Sequence, residues 1–423
     1  MIETSSTQLL ALRNSKTRVG YIGDSILEGN NLASSILISA QSREITWARA
    51  IYPHFECDVW LDATDSREFV GMNAAIGGST VAMNRASLPN PSQYFPQIMI
   101  VSAGINSVTT NVSEASIEAD LEYICKFYLQ RDIKVVLSNI RPVSNVWLPD
   151  ASAQLTVRND VNIWVENFVT MTPNVVFWNV ASVYDNGAGR PKSGYTADGL
   201  HPTQFGSQYG GASLASVLQT MIKPVTRRMA HDSYNWFPNG RLTGSAGAAG
   251  NGVTGHVATN FTAQMVSGGS TATVVASLVP NPETEGLIQR FELTTNGGKG
   301  PYEIFGFYGA KFTPPAAQWV KARTRVMLTA WPGWRSIYFW AGGVDCFGNV
   351  ATTDQLAPDM DIDLDIESMP FLTAAAPADI RPHFWIYLDP RVAGTNILIE
   401  MKEFEFIRVD DPIRLHNARS SPP

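Results

Sequence analysis

Cysteine is scarce in this 423-residue chain: Cys57, Cys125 and Cys346 stand far apart and form no CxxC pair. No disulfide framework and no cysteine zinc motif can be built on that spacing, so buried or bystander thiols are expected. The six histidines, at 54, 201, 231, 256, 383 and 416, are equally scattered, and none sits in an HExxH pattern. No metal site and no cofactor are therefore expected. Basic clusters are missing too. The net charge is -7 and Arg227-Arg228 is the one adjacent basic pair, which argues against a nucleic-acid partner. Long apolar runs are absent. The stretch Leu9 to Leu12 is too short for a signal-peptide core, and nothing approaches a membrane span. The expectation is a chain that stays in the cytoplasm or leaves it without a signal peptide.

What remains is ordinary globular material, 44% hydrophobic and 16% charged, in a chain too long for one core. Two regions of different character are visible. Up to about residue 222, strand-like runs alternate with helix-like ones. Gln97 to Val101 and Ile133 to Leu137 are continuous apolar strands of the kind buried on both faces. Between them, Ile117, Leu121, Ile124 and Tyr128 fall on one helical face, with Asn111 as a candidate cap and Glu114 completing a capping box. Ile45 to Ile51 reads as a short amphipathic helix. Val161, Trp164, Val165 and Phe168 stripe another helix, and Asn174 to Trp178 make a last strand. Thr203 can cap a final helix buried along Leu214, Val217, Leu218 and Met221. This alternation predicts a parallel sheet with helices on both faces and a ligand edge beyond the carboxyl ends of the strands.

The composition then shifts. Six glycines fall between Gly240 and Gly255, and from about 257 short β-prone runs are separated by Gly, Pro and Asn turns. An antiparallel sandwich or jelly roll is predicted there, ending in a strand pair, Asn396 to Met401 and Phe404 to Val409. The expected division is 1–228, a glycine-rich linker or loop over 229–256, and 257–423.

Four segments of the first region carry candidate chemistry. Val19 to Ile26 is an apolar strand ending in Gly23-Asp24-Ser25, which would throw a serine up at the sheet edge. Gly77-Gly78 could offer a backbone N–H donor, and Gly104-Ile105-Asn106 follows a predicted strand and offers a side-chain amide. Asp198-Gly-Leu-His201 places a carboxylate three residues from an imidazole, close enough to fix its tautomer. Each alone reads equally well as a turn. Together, in this order, they resemble the GDSL or SGNH hydrolases over roughly residues 17 to 222. Ile26 stands where that family usually has Leu, and Ser107 where it often has Asp. The nucleophile elbow Gly-x-Ser-x-Gly of a rival fold is excluded by Leu27.

The resemblance implies a flavodoxin-like parallel sheet and a serine esterase. It assigns Ser25 as nucleophile, His201 as base and Asp198 as orienting acid. The backbone N–H groups of Ser25 and Gly78, with the Asn106 amide, become the oxyanion hole. Asp24 is left to hold the turn.

In the second region Trp319, Trp331, Trp334, Tyr338, Phe339 and Trp340 could fill a core or stack on sugars. The Trp331-Pro-Gly-Trp334 turn is the candidate for exposed substrate-binding aromatics. Asp359 to Glu367 alternates acid with apolar, predicting a strand that buries Met360, Ile362, Leu364 and Ile366. Its acids are expected on a solvated face, with calcium or a basic partner as the alternatives. A hydrolase joined to a sandwich suggests a polymeric substrate, with O-acetylated polysaccharide first. The architecture resembles esterase-bearing tail proteins of bacteriophages, which would imply a virion or released protein and a homotrimer through the sandwich. A lipase or thioesterase, or a glycan-binding protein without activity, are the alternatives.

Overall fold

The computed structural model describes residues 16–28, 44–57, 59–61, 69–88, 96–225, 235–266, 270–298, 300, 302–341, 344–347, 356–368 and 370–409. The Leu9 to Leu12 stretch, Arg227-Arg228, His231 and His416 lie outside them. Five strands form the first sheet: β1 (Thr17–Gly23), β2 (Phe55–Glu56), β5 (Ile98–Ser102), β6 (Lys134–Ser138) and β7 (Val175–Trp178). They run in the order β2-β1-β5-β6-β7 and every pairing is parallel. A small antiparallel pair, β3 (Val59–Leu61) with β4 (Phe69–Gly71), leads into residues 72–76, which hydrogen-bond alongside β1.

Helices cover both faces of the sheet: α1 (Ser25–Glu28), α2 (Glu44–Ile51), α3 (Val81–Ala86), α4 (Ile105–Thr109), α5 (Glu114–Leu129), α6 (Ala153–Met171), α7 (Val180–Tyr184) and α8 (Gln204–Met221). The sequence stripes face the core as expected, with Trp164, Val217 and Met221 only partly buried at its edge. Ile117, Leu121, Ile124 and Tyr128 of α5 pack with Val161, Val165 and Phe168 of α6 in one apolar cluster. Leu214 and Leu218 of α8 pack with Ile45 and Ala48 of α2 in another, on the opposite face. Gly211 makes that second crossing close, since a Cβ there would lie 2.3 Å from Trp47. One cap differs from expectation. Asn111 sits in the left-handed region at φ 61° and closes α4, its N–H donating to Val108. Ser113 therefore caps α5, accepting from the Ser116 N–H.

The second half is two sheets over one apolar core. A six-stranded sheet takes the order β16-β15-β19-β13-β10-β8, and the other runs β17-β14-β20-β12-β11-β9. The strands are β8 (Ala248–Ala249), β9 (Val253–Gly255), β10 (Phe261–Met265), β11 (Thr273–Pro280), β12 (Leu287–Thr295), β13 (Glu303–Gly309), β14 (Trp319–Leu328), β15 (Trp334–Ala341), β16 (Val344–Phe347), β17 (Ile362–Glu367), β19 (His383–Leu388) and β20 (Gly394–Arg408); a short β18 (Phe371–Leu372) pairs with β14. Phe261, Phe291, Phe305, Phe307 and Phe404 meet ring to ring between the sheets. Within the glycine-rich stretch, β8 pairs with β10 and β9 with β11. The expected final strand pair is not formed. Residues 394–408 are one strand, because Lys402-Glu403 holds no turn residue and is accommodated as a bulge against Arg325/Val326.

The acidic strand is half corrected. Ile362, Leu364 and Ile366 are buried as predicted. Asp363 is exposed, but Asp365 and Glu367 are buried, because α2 of the first half lies over that face. The basic partner is the same chain. Glu367 receives Lys321 at 2.7 Å and Arg323 at 3.7 Å from β14. From the first half it receives Lys16 at 3.3 Å and Arg49 at 3.9 Å. Trp47 and Ala50 of α2 join the apolar cluster of the sandwich. The Tyr209 hydroxyl donates to Asp359, and the Ala357 N–H to Gln208 Oε1 at 2.7 Å. A cavity of about 490 Å³ lies along this seam, with Ala50, Ile51 and His54 on one wall and Arg325, Asp361 and Asp363 on the other.

Candidate active site

β1 ends at Gly23, where the chain runs close against β5. A Cβ at 23 would fall 2.1 Å from the Ser102 carbonyl oxygen, so close approach, rather than a left-handed turn, demands glycine there. Asp24 follows, 2% exposed, and its Oδ1 accepts from the Ile26 N–H at 3.0 Å. That bond closes the turn and starts α1 with Ser25 at its first position. Burial pushes the Asp24 carboxyl up to about 6; the Ile26 N–H and the charges of Arg141 and His201 pull the other way, and Glu44 pushes up.

The strand-terminal segments meet at this edge. Ser25 Oγ lies 2.9 Å from His201 Nε2, and His201 Nδ1 lies 2.7 Å from Asp198 Oδ2. Asp198 Oδ1 accepts from the N–H groups of Leu200 and His201 at 2.9 and 2.7 Å. Burial alone would raise the Asp198 carboxyl, but the His201 ring and these two N–H groups outweigh it and hold it below its ordinary value. The turn between Asp198 and His201 needs Gly199, at φ +83°. It is braced by the loop after β6: the Ser144 N–H donates to the Gly199 carbonyl at 2.8 Å, and the Trp147 indole to the Asp198 carbonyl at 3.1 Å.

Gly78 is exposed at φ +72° with open space around it. The Asn106 amide donates to the carbonyl of the next residue, Ser79, at 3.1 Å, which ties the two proposed donors together. Ser79 itself is fully buried, and its hydroxyl lies 3.0 Å from both the Gly23 carbonyl and Asn84 Oδ1. Ser79 carries no signal in the sequence beyond its place directly after the glycine pair. Ser107, the departure from the family pattern, accepts from the Val81 N–H at 3.0 Å and so anchors α3. A hydroxyl is enough to hold that loop.

Trp331 and Trp334 do not come to this edge, and they are not exposed. They are 5% and 0% accessible, packed edge to face at 4.9 Å inside the sandwich core. The turn between them forms as predicted, but it folds the indoles inward, with Gly333 leaving room for the Trp331 ring. Partly exposed aromatics instead gather on the outer face of the six-stranded sheet, where Trp340, His383 and Trp385 pack side by side. Among the described residues, no three His, Cys, Asp or Glu side chains are grouped to hold a metal, and no helix is long and apolar enough to cross a membrane.

Residues 21–209 match the family described as GDSL-like Lipase/Acylhydrolase. No curated protein matches the chain. Among solved structures, the chain is similar to the lipase/acylhydrolase from Enterococcus faecalis, at 18% identity and a TM-score of 0.38, over 51% of this chain and 100% of that one. It is similar to a GDSL-like lipase from Bacteroides thetaiotaomicron at 18% identity and a TM-score of 0.35, over 51% and 94% of the two chains. A Clostridium thermocellum family 3 carbohydrate esterase matches at 12% identity and a TM-score of 0.36, over 49% and 97%. The match to the GDSL-like lipase/acylhydrolase family thus spans residues 21–209, the parallel-sheet half of the chain.

Proposed function

We propose that this chain is a serine esterase that removes O-acetyl groups from a polysaccharide. The unbroken line from Ser25 Oγ through His201 to Asp198, with steps of 2.9 and 2.7 Å, carries the reading. His201 Nε2 takes the Ser25 proton as Oγ bonds to the ester carbonyl carbon, and Asp198 holds Nδ1–H so that the accepting nitrogen faces the serine. The carbonyl oxygen becomes an oxyanion, received by the N–H groups of Ser25 and Gly78 and by the Asn106 amide, where one donor is worth about 2.7–4 kcal/mol. His201 then returns the proton to the departing sugar oxygen, leaving acetyl on Ser25. Water attacks the acyl-enzyme with its proton going to His201, which passes it to Ser25 Oγ as the acyl bond breaks and acetate leaves.

The finer part of the reading, an acetylated polymer, rests on the sandwich fused to the hydrolase, an arrangement suited to a surface-bound substrate. By the same architecture it extends to a phage tail protein working as a homotrimer.

Acetate release from acetylated bacterial polysaccharides, beside acetyl and decanoyl nitrophenyl esters, tests both levels. Ser25→Ala is expected to lower ester hydrolysis by about 10⁴-fold or more. A wild type inactive on every ester, or a Ser25→Ala protein that keeps its rate, would overturn the mechanism. Preference for the decanoyl ester would leave the serine mechanism and replace the acetyl specificity with a lipase or thioesterase. Glycan binding without any hydrolysis would point to a non-catalytic protein.

A further inference from the structure

Beside the Ser25 turn lies a small, partly open pocket of about 10 Å³, the room of a single water, walled by Asp24, Ile26, Ser102, Asn139 and Arg141 among others. Two of these are buried charges, Asp24 and Arg141, at 2% and 3% exposure. Arg141 follows β6 and is held from behind. Its Nη1 donates to Glu44 Oε1 at 2.6 Å, the Tyr184 hydroxyl donates to the same oxygen at 2.8 Å, and the guanidinium lies 4.7 Å from the Tyr184 ring centre. Glu44 is the first residue of α2 and fully buried. Gly210 of α8 makes the space, since a Cβ there would fall 2.5 Å from Glu44 Cγ.

Bonding is incomplete on the other side of this pair. Arg141 Nη2 and Glu44 Oε2 are buried with no hydrogen-bond partner. A buried guanidinium with a spare N–H is costly unless something receives it. The pocket that Arg141 lines is also walled by Asp24, whose carboxylate shapes the turn carrying Ser25. The charged groups acting on Asp24 are Arg141, His201 and Glu44.

We propose that Arg141, braced by Glu44, is a positioning residue for Ser25. It keeps Asp24 a carboxylate, directly or through one water, and so fixes the 24–26 turn that aims the serine hydroxyl at His201. A charged acceptor binds the Ile26 N–H more strongly than a neutral one, so losing the charge loosens the turn. The proposal rests on the esterase reading of Ser25, and the two fail separately. A wild type without Ser25-dependent hydrolysis removes the esterase reading, whereas the variants below are read against an active wild type.

The test is kcat and KM on p-nitrophenyl acetate from acid to alkaline pH for Arg141→Met, Arg141→Lys, Asp24→Asn and Asp24→Asn/Arg141→Met, with melting curves to confirm folding. Arg141→Met is expected to lower kcat by roughly tenfold or more through misplacement of the serine. Its KM should stay within about twofold, the sign that binding is untouched. Its acid limb should move up by about one pH unit or more, because an opposite charge beside Asp24 is gone. Lysine should bring the limb back. In the Asp24→Asn background the Met substitution should leave the limb where it is. An unmoved limb in Arg141→Met, or an equal shift with Asn at 24, would overturn the proposal. Should Arg141→Met not fold, Arg141→Gln is read in the same way: its limb should move up, and a limb equal to that of the wild type counts against the idea.

Discussion

Gly199 shows how much one position in this site is asked to do. It adopts φ +83°, and a Cβ there would fall 2.1 Å from Ser144 Oγ. Alanine would bring left-handed strain of roughly 1–2 kcal/mol together with that clash, in the turn that sets Asp198 against His201. Gly199→Ala is expected to cut kcat by about tenfold or more, since small misplacements at the proposed base are costly. Adding Ser144→Gly should recover part of the rate by removing the clash and leaving the strain. Steady-state kinetics on the acetyl ester would show it, and full recovery would mean that the backbone conformation does not matter. Residues of this kind were legible in the sequence because Asp-Gly and Gly-Asp-Ser are short-range signals at strand ends. Ser79 was not, because its bond to the Gly23 carbonyl spans 56 residues and leaves no local pattern. Trp331 and Trp334 misled for a related reason: a Pro-Gly turn fixes where the chain reverses and not which way its flanking rings point.

At the scale of elements, α2 and β17 form the contact on which the two halves meet. The alternation in β17 foretold its buried apolar side, since a period of two is local. That its acids face basic groups could not be read, because it depends on which helix covers the outer face of the sheet. Burial would raise the Glu367 carboxyl, but Lys321, Lys16, Arg49 and Arg323 together hold it well below its ordinary value of 4.5. The folded value is depressed, so this stabilisation is fully present above the unfolded value and is lost as pH falls through the folded one. Glu367→Gln leaves those cations without their common partner and is expected to cost about 3–5 kcal/mol at neutral pH. Denaturant melts would show the difference between variant and wild type at neutral pH shrinking under acid. A difference that holds constant down to low pH would locate the stabilisation somewhere other than this carboxylate.

For the whole molecule, the apolar cluster of the sandwich includes Trp47 and Ala50 from α2, while Ile45 and Ala48 of the same helix belong to the core of the parallel sheet. The two halves thus share a helix that neither can give up. Calorimetry of the full chain is expected to show one cooperative transition, with tryptophan fluorescence and far-ultraviolet dichroism coincident. Two resolved transitions would mean that the seam is weaker than its burial suggests. The parallel-sheet half cut off near residue 225 would expose Trp47 and leave Arg49 without Glu367, so it should be less stable and prone to self-association.

The shared helix has a further consequence for engineering. Hydrolase and sandwich look like separable parts on the linear map, but α2 is shaped on both sides at once: Glu44 faces Arg141 inward, while Arg49 faces Glu367 outward. Transplanting the parallel-sheet half onto a different second module would therefore require redesigning one face of α2 while leaving the other untouched.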